Sequence, residues 1–223
     1  MADMPLVFLD LETLGTTDSA QIFEAAWITE DGKETVIWIP VDVSKADEGA
    51  LRVNRYYARF EEGYEKYRVE PEAAAKMIAK ATAGCMIAGN NVGAFDTRLL
   101  RNFMLKYGLP PAWSHRVFEV MEYAAGALGM KAPFASRDVS KALGIPEQPR
   151  EEAHTALADA RWTKLVYETA RNLKQSRTNK IKSELAPLIS SMGPQTLVDD
   201  ALVGSWADKI ASAVWPQLQE TKS

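Results

Sequence analysis

The chain has 223 residues, 47% of them hydrophobic and 25% charged, which suits one large globular domain or a medium domain with an appendage. No stretch approaches the roughly 18–20 uninterrupted apolar residues of a membrane span, and no basic segment followed by an apolar run opens the chain. A membrane protein and a signal peptide are therefore not expected, and cytoplasmic residence fits. A net charge of −4 argues against broad electrostatic coating of nucleic acid, but not against an enzyme that grips a chain end.

In chain order, Leu6 to Glu12 is largely apolar on both faces and predicts a central first strand. Phe23 to Thr29 predicts a second. Asp31-Gly32 signals a type I′ hairpin turn, in which both central positions take positive φ. Thr35 to Ile39 predicts a third strand, ended by Pro40. Residues 44–70 are charged and carry Tyr56, Tyr57, Phe60, Tyr64 and Tyr67. They read as irregular or short-helical, with aromatics that either stack single-stranded bases or simply pack.

Pro71 opens a helix over 72–83 at a position where proline is tolerated, and Gly84 stops it. Cys85 to Ala88 predicts a short buried strand, followed by Gly89-Asn90-Asn91. Cys85 is the only cysteine, so an intrachain disulfide is excluded, and a buried, inert thiol is expected. A helix is expected from Phe95 to Tyr107, ended by Gly108, then a strand at Arg116 to Phe118. Helices follow near 119–128 and 136–143. Glu151 to Asn172 is the longest helical stretch, with Ala156, Ala160, Thr163, Val166, Tyr167 and Ala170 spaced by threes and fours.

Strands first, then strands alternating with helices, predict an α/β domain with a mixed sheet. After residue 172 the character changes. Residues 172–183 carry Lys174, Arg177, Lys180 and Lys182 with no acidic residue. Two or three short amphipathic helices are expected beyond, one presenting Trp206, Ile210, Ala213 and Val214 and limited by Pro216. The chain divides on this reading into a domain over 1–172 and a helical extension over 173–223.

Asp10 and Glu12 are two apart on the first strand, so their side chains share a face. Two carboxylates side by side on a buried strand repel and are costly to desolvate unless a cation sits between them; at a solvated strand end the same pair is merely polar. Asp96 opens a helix after a short strand and loop, where an aspartate also suits the helix dipole. His154 and Asp159 are five apart and cannot share a face of one regular helix. Placing His154 at the helix start and Asp159 on the inward face lets both approach one site, and Ala158 and Ala160 allow close approach of another layer. The second histidine, His115, matches no motif.

Together these segments resemble the DnaQ-like 3′–5′ exonucleases of the ribonuclease-H-like superfamily, in the histidine (DEDDh) subclass. Asp10 and Glu12 match the first motif. Asn91, Phe95 and Asp96 match the second, and His154 and Asp159 the third. The tyrosine subclass would have tyrosine four before the last aspartate, and Thr155 stands there instead. The resemblance spans residues 5–172. Asn90 stands where many relatives have histidine, and Thr155 where aspartate is frequent.

The resemblance implies a ribonuclease-H-like α/β fold: a mixed five-stranded sheet flanked by helices, here with a C-terminal helical extension. It implies two divalent cations, Mg²⁺ or Mn²⁺, held by Asp10, Glu12, Asp96 and Asp159, with His154 as general base. Oxygen ligands suit such hard ions, and one motif histidine without a usable cysteine argues against structural zinc. Thr13, Leu14, Asn91 and Phe95 would border the terminal nucleotide. The expected reaction is hydrolysis from nucleic-acid 3′ ends, releasing nucleoside 5′-monophosphates. DNA is the first substrate and RNA or short oligoribonucleotides the alternative, met as single strands or as 3′ ends. The extension would pack on the domain, form a homodimer or dock on a polymerase. A binding module without catalysis is the rival from another class, against which stand five filled catalytic positions.

Overall fold

The computed structural model describes residues 4–149 and 152–190. Strands β1 (Leu6–Thr13), β2 (Ile22–Thr29) and β3 (Glu34–Trp38) form an antiparallel meander. On the other side of β1, β4 (Met86–Gly89) and β5 (Phe118–Glu119) add in parallel, giving the order β3-β2-β1-β4-β5. This is the mixed five-stranded sheet expected, with β1 at its centre.

The β2–β3 connection differs from the expected type I′ turn. The Gly32 N–H donates to Thr29 O at 2.9 Å and the Thr29 N–H to Lys33 O at 3.0 Å. The turn therefore closes over Glu30 and Asp31, and Gly32 alone takes positive φ, +84°. A three-residue hairpin loop needs only one left-handed residue, and glycine supplies it without a Cβ clash.

Residues 44–70 are more regular than their composition suggests. A 3-10 turn (Val43–Lys45) leads into α1 (Glu48–Val53), whose first turn is capped by Asp47 accepting the Ala50 N–H at 2.9 Å. The long helix α2 (Tyr56–Tyr67) follows. Its aromatics are held by packing rather than propensity. Tyr56, Phe60, Tyr64 and Tyr67 join Leu14, Phe23 and Trp38 in one cluster, and only Tyr57 of the five is exposed, at 68%. Gly63 lets the helix lie directly on the Trp38 indole: a Cβ there would stand 2.2 Å from a ring atom.

The remaining helices are α3 (Pro71–Thr82), α4 (Asp96–Leu105), α5 (Val120–Leu128), α6 (Ser136–Ala142) and α7 (Ala156–Ser190). α7 begins five residues later than expected and runs through residue 172 without a break, carrying Lys174, Arg177, Lys180 and Lys182 on the same helix. The expected helix around Trp206 lies outside the described residues. Among those described, no helix is long and apolar enough to cross a membrane.

The alternation of β1 builds two cores. Val7, Leu9 and Leu11 pack with Ile78 of α3 and Leu99, Leu100 and Met104 of α4. On the opposite face Phe8 packs with Ile28, Ala88, Val120 of α5 and Val166 and Ala170 of α7. Asp10 and Glu12 follow Phe8 onto that second face, beneath the first turns of α7.

Candidate active site

Glu12 and Asp10 stand near the C-terminal end of β1, and a register shift after Glu12 then turns the strand away. Across the antiparallel pair Glu12 lies opposite Glu24 of β2, while Asp10 lies opposite Ala26, whose small side chain leaves room. β4 runs parallel beside Leu6–Phe8, so the loop after Gly89 leaves the sheet at the end where these carboxylates stand. That loop is tightly built. A Cβ at Gly89 would lie 2.6 Å from Val92 Cβ and 3.1 Å from Leu9 O. Asn91 takes φ +58°, and the Glu119 carboxylate accepts the Val92 N–H at 3.2 Å and the Gly93 N–H at 2.8 Å. The loop delivers Asp96, buried, to the first turn of α4, where its carboxylate accepts the Leu11 N–H from β1.

The third element comes from α7. Asp159 sits one turn into the helix, its N–H donating to Thr155 O at 3.0 Å. Its carboxylate accepts Gln148 Nε2–H at 2.9 Å and the His154 backbone N–H. His154 precedes the helix, is exposed, and takes φ +60°, a conformation costing a non-glycine residue on the order of 1 kcal/mol or more. Ligand atoms of Glu12, His154 and Asp159 all lie within 4.8 Å of one another. Motifs far apart in sequence thus meet at one end of the sheet.

The electrostatics of this end are those of charges short of counter-ions. Burial pushes Glu12 up to about 8, helped by Asp159 and Glu24 and opposed by Arg59. Burial likewise pushes Asp96 up to about 8, against the Asp96 and Leu11 N–H groups that favour its charged form. Asp10 is raised well above the ordinary carboxylate range, by burial first and then by Asp96, Asp159, Glu12 and Glu24. Asp159 is raised by burial, although Gln148, His154 and Arg59 pull it down. Such a group is relieved either by taking up protons or by cations. A carboxylate set with a neighbouring imidazole fits hard divalent ions; Glu12, His154 and Asp159 could share one, with Asp10 and Asp96 buried alongside.

The four expected nucleotide-bordering residues stand differently. Leu14 is buried in the aromatic cluster, with its N–H donating to Gln21 O at 2.9 Å. Thr13 is also buried: its hydroxyl donates to Gly15 O at 2.6 Å, and its carbonyl accepts Asn54 Nδ2–H at 2.9 Å. Asn91 is exposed, and Phe95 is half-buried immediately before Asp96. Four further residues shape the site without having been expected: Glu119, Gln148, Glu24 and Arg59. Glu24 had a visible signal, being the one charged residue in the otherwise apolar run Ile22-Phe23-Glu24-Ala25-Ala26-Trp27. Arg59 had none, since its partner is 35 residues away in sequence.

Glu24 and Arg59 form a buried ion pair whose side chains are 6% and 15% exposed. Burial raises Glu24 despite that partner, the Ala156 N–H and the Trp38 indole N–H, all of which favour its charged form. Arg59 also lies over the Phe23 and Trp38 rings, 5.9 and 5.4 Å from their centroids.

No family model and no curated protein matches the chain. Solved structures do. The zinc-bound form of E. coli exonuclease I with single-stranded DNA gives a TM-score of 0.61 at 22% identity, covering 87% of this chain and 47% of that one. An apo exonuclease I structure gives 0.59 at 22% identity, covering 83% and 47%. A further exonuclease I structure gives 0.59 at 25% identity, covering 83% and 46%. The chain spans a little under half the length of these exonuclease I chains. The likeness shows the fold: the mixed sheet flanked by helices is the ribonuclease-H-like fold of exonuclease I.

Proposed function

We propose that this chain is a metal-dependent 3′–5′ exonuclease of the DEDDh kind, releasing nucleoside 5′-monophosphates from single-stranded DNA. The observation that carries the reading is the convergence of Asp10, Glu12, Asp96 and Asp159 with His154 at one end of the sheet. Two Mg²⁺ or Mn²⁺ ions, when bound, would neutralise the carboxylates and stabilise the charge developing on the attacking and leaving oxygens. By the resemblance, Glu12 and Asp159 would hold the ion on the side of the attacking water and Asp96 the other; the grouping of His154 with Glu12 and Asp159 supports that assignment. His154 takes the water's proton as the water oxygen bonds to phosphorus and the P–O bond to the 3′ oxygen of the preceding nucleotide breaks, that oxygen leaving with the shortened strand. Its backbone N–H on the Asp159 carboxylate ties the base to the ion-holding residue.

DNA is favoured over the RNA alternative because solved neighbours hold dA16 and dT13 oligonucleotides. At the terminal nucleotide, Asn91 and Phe95 would contribute side chains at the rim. Thr13 and Leu14 are buried beneath that rim, the Thr13 carbonyl held by Asn54 and the Leu14 N–H by Gln21, and would shape the pocket from below. Residues 1–172 would form the catalytic unit and 173–223 an extension for packing, dimerisation or docking on a polymerase.

The test is to incubate the protein with 3′- and 5′-labelled DNA and RNA, single- and double-stranded, in Mg²⁺, Mn²⁺ or EDTA. The expected result is shortening of single-stranded DNA from its 3′ end in Mg²⁺ or Mn²⁺, abolished by EDTA and by Asp10→Ala. No shortening of any substrate, or shortening indifferent to Asp10→Ala, overturns the reading.

A further inference from the structure

His154 lies outside α7, is exposed, and rests on a backbone conformation that L-residues rarely adopt. Such a conformation persists only where surrounding contacts hold it. The contacts come from α2 and β2. Arg59 donates from Nη1 to His154 O at 3.1 Å, while its Nη2 is committed to Glu24. Glu24 in turn accepts the Ala156 N–H at 3.4 Å, from the first residue of α7. One residue before His154, Ala153 O accepts from Arg55 Nη2 at 3.5 Å. Arg55, which precedes α2, and Arg59 in its first turns both reach this segment.

The histidine is therefore gripped at its carbonyl and at the amide two residues on, by the two halves of one ion pair. A buried ion pair is weak evidence for stability, and in some proteins its task is to fix geometry. This pair is braced on the Phe23 and Trp38 rings, which anchors the grip to the aromatic core.

We propose that Glu24 and Arg59 are positioning residues that hold His154 over Glu12 and Asp159 for proton transfer. The proposal rests on His154 being the base. It assigns a functional task to α2: through Arg59, the helix packed on Trp38 sets the position of a side chain at the acidic end of the sheet.

A double-mutant cycle with melting curves on every variant tests it. Arg59→Met is expected to lower kcat about ten- to hundredfold with KM for single-stranded DNA within about twofold, the range for removing a residue that orients a site group. In a His154→Ala background the same substitution is expected to change kcat less than about twofold, since there is no base left to position. An Arg59→Met penalty undiminished in the His154→Ala background, or a wild-type kcat for Arg59→Met, overturns the proposal. Should Arg59→Met lose its cooperative melt, Glu24→Gln, which keeps the side-chain shape, enters the same cycle with the same criteria. A wild-type rate in His154→Ala alone instead overturns the base assignment, and the positioning role falls with it.

Discussion

One face of the sheet, under one helix, is built in two opposite ways. At one end Phe8, Ile28 and Ala88 pack against α5 and α7 through Val120, Val166 and Ala170. Two and four residues further along β1, Asp10 and Glu12 meet Glu24 from β2 and Asp159 from the first turns of the same helix. The apolar half stabilises the fold unaided: burying a side chain the size of Phe8 contributes about 2–3 kcal/mol. The acidic half opposes folding whenever its carboxylates are ionised without counter-ions. The strand alternation is the same throughout, so the chemistry of three or four side chains decides which half is scaffold and which is site. Local rules are expected to fail where function resides.

Substitutions in the two halves should therefore separate activity from stability. Asp10→Asn is expected to lower the nuclease rate at least about a thousandfold, since ion-held charge stabilisation is lost, as initial rates would show. Its melting temperature in EDTA at pH 8 should stay level or rise, because one of several repelling charges is gone. Phe8→Ala should do the reverse. It is expected to cost about 3–5 kcal/mol in urea titration, while the rate per folded molecule stays within a fewfold of wild type. A destabilised Asp10→Asn with a normal rate would erase the distinction.

The pH dependence sharpens it further. Glu12 and Asp96 sit at about 8 when folded, against ordinary values of 4.5 and 3.8. Between roughly pH 4 and 8 the folded state thus binds more protons than the unfolded state, and stability falls as pH rises through that window. Each pKa unit corresponds to about 1.4 kcal/mol. Melting in EDTA should drop by several degrees from pH 6 to 8.5, and Mn²⁺ should raise the melting temperature more at pH 8.5 than at pH 6. A flat EDTA curve would mean that the acidic half carries no such burden.

The smallest effect expected is at the loop that delivers Asp96. Glu119→Ala removes the acceptor for the Val92 and Gly93 N–H groups without removing a proposed ion ligand. About a tenfold loss of rate is expected, with most of it recovered in Glu119→Gln, which retains one acceptor oxygen. Equal loss in both variants would show that charge, rather than loop geometry, is what Glu119 contributes.

What could be read in the sequence was what short windows encode. The Asp-x-Glu pair, the glycine-led loop before Asp96 and the histidine five before Asp159 are local patterns on regular elements, and the structure brings all three to one place. The strands followed from apolar runs and breakers, and the mixed character of the sheet from strands first and strands alternating with helices after, while the strand order did not. Less legible was whatever depends on distant partners. α2 was hidden because its aromatics look alike whether they face solvent or a core, and Trp38 decides the matter from β3. The continuity of α7 past residue 172 was hidden because the shift to basic residues there changes charge, not helix propensity. Arg59 reads as one more surface arginine until folding sets it against Glu24 and His154.

The most direct test of the central claim is calorimetric titration of Mn²⁺ at pH 7.5 in two buffers of different ionisation enthalpy. Ions entering a site of raised-pKa carboxylates must displace protons. The prediction is saturable binding with net proton release, visible as a buffer-dependent heat, and its loss in Asp10→Asn. No binding, binding without proton release, or binding unchanged by Asp10→Asn would contradict the assignment of this acidic end as a cation-dependent active site.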